Sequence, residues 1–109
     1  MQDLIQLLRQ FRDDRDWAQF HDSKNLALAL SIEAAELNEL FLWTTDGELP
    51  PSKKQHLREE LADVIAYALL LADKHQLNID EIVREKVALN AAKYPVDKSK
   101  GNAAKYTDL

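Results

Sequence analysis

The 109-residue sequence has no cysteine, only two glycines and three prolines, and a single methionine. Without cysteine there is no disulfide, no thiolate metal site and no thiol nucleophile. The scarcity of glycine and proline, with no stretch that alternates apolar and polar residues, removes both the punctuation and the period of β-structure and leaves an all-α chain. No glycine-rich phosphate loop and no Gly-x-Ser-x-Gly elbow is present. Basic blocks are missing too. A formal net charge of -5 speaks against a binder of nucleic-acid polymers, while an isolated nucleotide stays open because a bound cation inverts the local sign.

Long apolar runs are also scarce. The longest, Val64 to Ala72, is too short to cross a bilayer and is bounded by Asp63 and Asp73, so no membrane partner is expected. Met1 to Phe11 is amphipathic rather than continuously apolar, which sets the expected compartment as cytoplasmic. A helix apolar nearly all round needs neighbours all round, and a domain of about four helices supplies few of them. A homo-oligomer with this helix at the subunit contact is therefore expected, the alternative being that the N-terminal helix covers it within one subunit.

Turn signals divide the chain into four helices. The first runs from Gln2 to Asp14. Ser23 or Asp22 caps a second that continues to about Trp43, where Thr45-Asp46-Gly47 and Pro50-Pro51 make the turn. Ser52 caps a third running to about Gln76, and Asn78 with Glu81 resembles a capping box opening a fourth that stops before Pro95. Residues 1–95 form one helical domain. The polar tail, residues 96–109, is either disordered or a segment that folds over a ligand.

What the chain does have is acid in the wrong place. Glu33-x-x-Glu36 and Glu60-x-x-Asp63 sit inside two of its most apolar helical stretches. At roughly 100° per residue, Leu26, Leu30, Leu37 and Leu40 share one line and Glu33 falls about 20° from it. Glu36 lies about 80° off, and Trp43, seven residues on, returns to almost the same angle, so a carboxylate and an indole are expected on one flank. In the third helix Leu57, Leu61, Val64, Ala68 and Leu71 form the expected core line, with Glu60, Tyr67 and Asp63 at about 60°, 80° and 120° to one side. Burying ionised carboxylates costs several kcal/mol unless a positive partner is present. Lysine or arginine would serve, and so would a metal. Oxygen ligands without cysteine or a histidine pattern favour Mg²⁺, or Mn²⁺, over zinc, and such ions complete their shells with water and substrate phosphates.

The fourth helix repeats the anomaly with opposite sign, since Lys86 and Lys93 lie within about 40° of Ile82 and Leu89, with Asn90 about 80° away. They are expected on an inward face as a phosphate counterpart to the acids, unless they form a structural salt-bridge network or snorkel. Trp17, Phe20, His21 and Trp43 offer rings to stack on a base and an imidazole to bond its edge, or else core and interface residues. A di-iron carboxylate bundle fits less well, because none of His21, His56 or His75 has a glutamate three residues before it.

These residues resemble the metal motif of the MazG-like all-α nucleoside triphosphate pyrophosphatases, and within that superfamily the dCTP pyrophosphatase group. The resemblance runs through Arg15-Asp16-Trp17, Gln19-Phe20-His21, Asn25-Leu26, Glu36-Leu37, Glu39-Leu40-Phe41 with Trp43, Thr45-Asp46-Gly47-Glu48, Glu59-Glu60-Leu61, Asp63-Val64, Lys86, Asn90, Tyr94-Pro95 and Lys105-Tyr106-Thr107. It implies a four-helix subunit in a dimer or dimer-of-dimers tetramer that hydrolyses a nucleoside triphosphate, dCTP or a modified dCTP foremost, to monophosphate and pyrophosphate, with a house-cleaning role in the nucleotide pool. Carried over, Glu33, Glu36, Glu60 and Asp63 would bind Mg²⁺. Trp17, His21 and Trp43 would contact the base, Tyr67 would line the pocket, and Lys86, Asn90, Lys93 and Tyr94 would approach the phosphates. Ala91 and Ala92 follow Asn90 where the group often has basic residues.

Overall fold

Helix α1 (Gln2–Asp14) ends in a motif that turns the chain back on its own last turn. Asp16 adopts the left-handed conformation at φ 55. Its N–H bonds the Asp13 carbonyl at 3.1 Å, and the N–H of Trp17 bonds the Arg12 carbonyl at 3.0 Å. These are the two hydrogen bonds of a Schellman cap, which satisfies carbonyls left open at a helix C-terminus. Trp17 then folds back edge-on against Phe11 with ring centroids 5.8 Å apart, and the Arg15 guanidinium lies 3.8 Å from the Phe11 centroid.

The computed structural model describes every residue from Met1 to Leu109, and all its regular elements are helical. After a 3₁₀ turn at Ala18–Phe20 come α2 (Ser23–Glu39), a second 3₁₀ turn at Pro51–Lys53, α3 (Lys54–Lys74), α4 (Ile79–Lys93), α5 (Val96–Ser99) and a last 3₁₀ turn at Tyr106–Asp108. None of these helices is long and apolar enough to cross a membrane. The chain forms two compact units, Met1–Gln76 and Leu77–Leu109.

In the first unit α3 packs against both α2 and α1. Asp22, not Ser23, caps α2, its Oδ1 accepting from the Asn25 N–H at 2.7 Å. Ser23 Oγ instead lies 2.8 Å from His75 Nε2, tying the start of α2 to the end of α3. Arg9 on α1 forks onto Asp73 of α3, with Nε donating to Oδ2 at 2.8 Å and Nη2 to Oδ1. The core is small: Ile5, Leu26, Leu40, Leu69, Leu70 and Ala72.

The structure departs from the expected helix bounds and core lines at several points. Helix α2 stops at Glu39, short of Trp43. The N–H groups of residues 40 to 42 bond carbonyls three residues back, and the Thr44 hydroxyl donates to the Phe41 carbonyl at 2.8 Å. This tightened turn and competing side-chain bond end the helix, leaving Trp43 at φ 66 and 88% exposed. Trp43 therefore does not share a helical flank with Glu36. Ser52 does not cap α3. Pro50 holds the chain extended and Pro51 opens a 3₁₀ turn that contains Ser52, so the N-cap of α3 falls on Lys53 without a side-chain bond. On α3 the deepest residues are Leu69, Leu70 and Ala72, whereas Leu61 of the expected core line is 43% exposed. The cause is that α3 has two packing faces, one for each neighbouring helix.

In the second unit Asn78 caps α4 as expected, accepting from the Glu81 N–H at 3.0 Å. No residue of α4 is buried, so Lys86, Asn90 and Lys93 are exposed and not on an inward face. The tail carries α5 and the last 3₁₀ turn. Tyr106 meets Tyr94 edge-on at 6.0 Å, and Lys93 Nζ lies 4.9 Å from the Tyr106 ring centroid.

Candidate active site

Glu33 and Glu36 project from one turn of α2, and Glu60 comes from α3. One carboxylate oxygen of each lies within 4.8 Å of the others. The i,i+3 spacing sets the first two side by side on their helix, and the packing of α3 on α2 brings Glu60 against them. Three anions this close repel one another, and burial adds a desolvation cost. Glu33 Oε2 and Glu60 Oε2 are buried without any hydrogen-bond partner. Glu60 Oε1 has only His56 Nε2, at 3.3 Å. Burial of its carboxylate, then the contact and charge of Glu36, then the charges of Asp63 and Glu60, raise the pKa of Glu33 to about 7. Orphaned carboxylate oxygens converging without a lysine or arginine are what a divalent cation would satisfy, so the residues present fit a metal.

Asp63, one turn beyond Glu60, stands outside this trio. Its charge helps raise both Glu33 and Tyr67. It also lines a neighbouring cleft of about 250 Å³ together with Trp17, His21, Tyr67, Phe11 and Arg12. Asp63 is thus the residue shared by the acidic cluster's field and the aromatic cleft. Within the cleft His21 Nδ1 is buried without a partner. Burial first, then the charges of Arg12 and Lys74, push the pKa of His21 below its ordinary value, which keeps the ring neutral. Tyr67 is pushed up by burial and by Glu33 and Asp63, so its hydroxyl stays protonated and able to donate.

The structure therefore brings together Glu33, Glu36 and Glu60, and separately Asp63, Trp17, His21 and Tyr67. Trp43 is in neither group, and Lys86, Asn90, Lys93 and Tyr94 belong to the second unit. Sequence reasoning missed Phe11 and Arg12 as cleft residues. The signal that would have found them is the run from Phe11 to Trp17, because a helix stop at Asp14 folds Trp17 back over the last turn.

The MazG-like family model matches residues 28–109. The chain belongs to the MazG-like family. Mouse dCTP pyrophosphatase 1 is 42% identical over 114 aligned residues, covering 100% of this chain and 67% of the mouse protein. For human dCTP pyrophosphatase 1 the identity is 39%, with the same coverage. A crystal structure of a pyrophosphatase from Archaeoglobus fulgidus, 44% identical, superposes with a TM-score of 0.82 over 87% of this chain and 92% of that one. The all-α architecture is thus the MazG-like fold, and this MazG-like chain is a nucleotide pyrophosphatase, a hydrolase.

Proposed function

We propose that the protein is a Mg²⁺-dependent pyrophosphohydrolase that converts dCTP, or a cytosine-modified dCTP, to the monophosphate and pyrophosphate. The observation that carries this reading is the trio of carboxylates with two orphaned buried oxygens, set beside an aromatic cleft through Asp63. Glu33, Glu36 and Glu60 are the proposed metal ligands, with Asp63, one turn from Glu60 on α3, as the proposed fourth from the cleft side, and carboxylates without nitrogen or sulfur suit Mg²⁺, with Mn²⁺ as a substitute. When bound, the cation neutralises charge on the triphosphate oxygens.

The chain's own residues do the rest. Trp17 and Tyr67 present flat faces to the base, and neutral His21 offers a nitrogen to its edge. Water attacks phosphorus, the bond to the pyrophosphate leaving group breaks, and the water's proton passes to a carboxylate. Glu33 or Glu36 is the proposed acceptor, and for Glu33 burial and then the neighbouring carboxylates raise the proton affinity. No covalent intermediate with the protein is required.

The test is pyrophosphate release from a panel of nucleoside triphosphates that includes 5-methyl-dCTP, with Mg²⁺ and with EDTA. Release that needs Mg²⁺ and favours cytosine deoxynucleotides is expected. Turnover undiminished by EDTA would remove the metal assignment, and a purine preference would remove the substrate assignment.

We also infer that the chain works as a homo-oligomer. Six apolar side chains are buried while eighteen large ones stay exposed, among them Leu7, Ile32, Leu61 and Ile65. That ratio is inverted for a lone chain, because surface of this kind gains free energy by leaving water. Sedimentation velocity at micromolar concentration is expected to show a mass at least twice 12.5 kDa. A single species of the monomer mass would overturn the inference.

A further inference from the structure

The reaction leaves one guanidinium in the cleft without a role. Arg12, on the last turn of α1, lines the cleft beside Trp17, His21 and Tyr67. Its Nε donates to Asp13 Oδ1 at 2.7 Å and its Nη2 to Asp13 Oδ2 at 3.2 Å. This pairing fixes the plane of the fork along one edge. Nη1, which carries two N–H donors, has no partner in the protein. The side chain is 22% exposed, and Nη1 stays open to solvent at the cleft, where a ligand's acceptors can replace water on its donors. The carbonyl of the same residue holds the Trp17 N–H at 3.0 Å, so the fork and the stacking ring keep a fixed relation to each other. His21, which lines the same cleft, adds a buried nitrogen without a partner.

Stacking on aromatic faces holds any base, because every base has a π-face. Discrimination has to come from polar groups that are left unpaired by the wrong ligand. Cytosine presents two adjacent acceptors, O2 and N3, followed by the N4 amino donor. Uracil and thymine present a donor at N3 and an acceptor at O4. A guanidinium edge with free donors and a neutral imidazole with one acceptor nitrogen match the first pattern, and meet the second with two mismatches.

We propose that Arg12 is a specificity-determining residue of the cleft, its free Nη1 edge donating to the O2 and N3 acceptors of a cytosine base while His21 accepts from the exocyclic amine. This deepens the reading of the cleft as a base site and rests on it.

The test compares wild type with Arg12→Met, which keeps an apolar stem but no donors, and Arg12→Lys, which keeps the charge but not the planar fork. Steady-state kinetics with dCTP and dUTP are paired with calorimetric binding of dCMP and dUMP. For Arg12→Met, kcat/KM on dCTP should fall about 10- to 100-fold, the range of one good bidentate contact, with KM carrying the loss. On dUTP it should stay within about threefold, by the same bidentate reasoning. Binding of dCMP should weaken in parallel, and Arg12→Lys should recover only part of the preference. An equal loss on both nucleotides would make Arg12 a support for the Trp17 turn, and an unchanged dCTP to dUTP ratio would make it a surface residue; either overturns the proposal while leaving the reaction intact. Wild type that neither releases pyrophosphate nor binds dCMP would overturn the reading of the site as well. If Arg12→Met fails to fold, the Arg12→Lys ratios decide on the same terms.

Discussion

Replacing Glu33 with glutamine is expected to lower kcat/KM for pyrophosphate release by on the order of 10²–10³-fold, the cost of losing one preorganised charge-stabilising group. The same change is expected to make the metal-free protein more stable at pH 8. Both effects follow from the burial of the Glu33 carboxylate and its crowding with Glu36 and Glu60 within 4.8 Å. The pKa of Glu33 is raised from 4.5 to about 7. For an acid raised on folding, the native state binds a proton more tightly than the unfolded chain does. The metal-free fold therefore loses stability as pH climbs from 4.5 to about 7, and the loss is complete above that window. Glutamine carries no charge to penalise. Thermal melts in EDTA should give Glu33→Gln and wild type the same midpoint at pH 4 and a higher midpoint for the variant at pH 8. Added Mg²⁺ should raise wild type at pH 8 and leave the variant little changed, because a ligand that binds only the native state stabilises it. A variant that retains turnover, or melts lower than wild type at pH 8, would show that Glu33 is a structural acid.

Leu26→Ala is expected to cost about 2–5 kcal/mol, the usual range for truncating a fully buried leucine, where a cavity adds to the lost transfer energy. Leu26 is 2% exposed, on the first turns of α2 and on the same helical line as Leu40, which is 5% exposed. With so few apolar side chains fully buried, little of the remaining core can collapse into the gap. Set against a total stability of about 5–15 kcal/mol for a typical domain, the loss should shift the urea midpoint sharply at a fixed protein concentration. Activity should survive at low temperature and vanish on mild warming, because the carboxylates themselves are untouched. A midpoint within experimental scatter of wild type would mean that Leu26 is not part of the core.

The two variants separate the positions at which the protein sacrifices stability for chemistry from those at which it gathers stability. Glu33 lies about 20° from the line of Leu26, Leu37 and Leu40, so the anion and the core share one face of one helix. Adjacent positions on that face are therefore predicted to respond to substitution with opposite signs.

The sequence by itself determined the helical class, the bounds of α1 and the cap at Asn78, and narrowed the cap of α2 to Asp22 or Ser23. It also determined that Glu33 and Glu36 stand one turn apart on α2, as do Glu60 and Asp63 on α3. All of these depend on neighbours within about four residues, where the helical period and the capping chemistry act directly. Tertiary structure alone decided that Glu33, Glu36 and Glu60 converge while Asp63 turns towards the cleft. It also decided that the deepest residues of α3 are Leu69 and Leu70, and that Arg12 joins the cleft while Trp43 stays out of it. The physical reason is that periodicity gives angles around one helix but not which helix lies against which angle. A helix gripped from two sides, as α3 is by α1 and α2, has two buried lines, and a single expected stripe finds only one of them. Trp43 was lost for a local reason, since its place on the flank of Glu36 required four more residues of helix than the turn at residues 40–43 and the Thr44 hydroxyl allow.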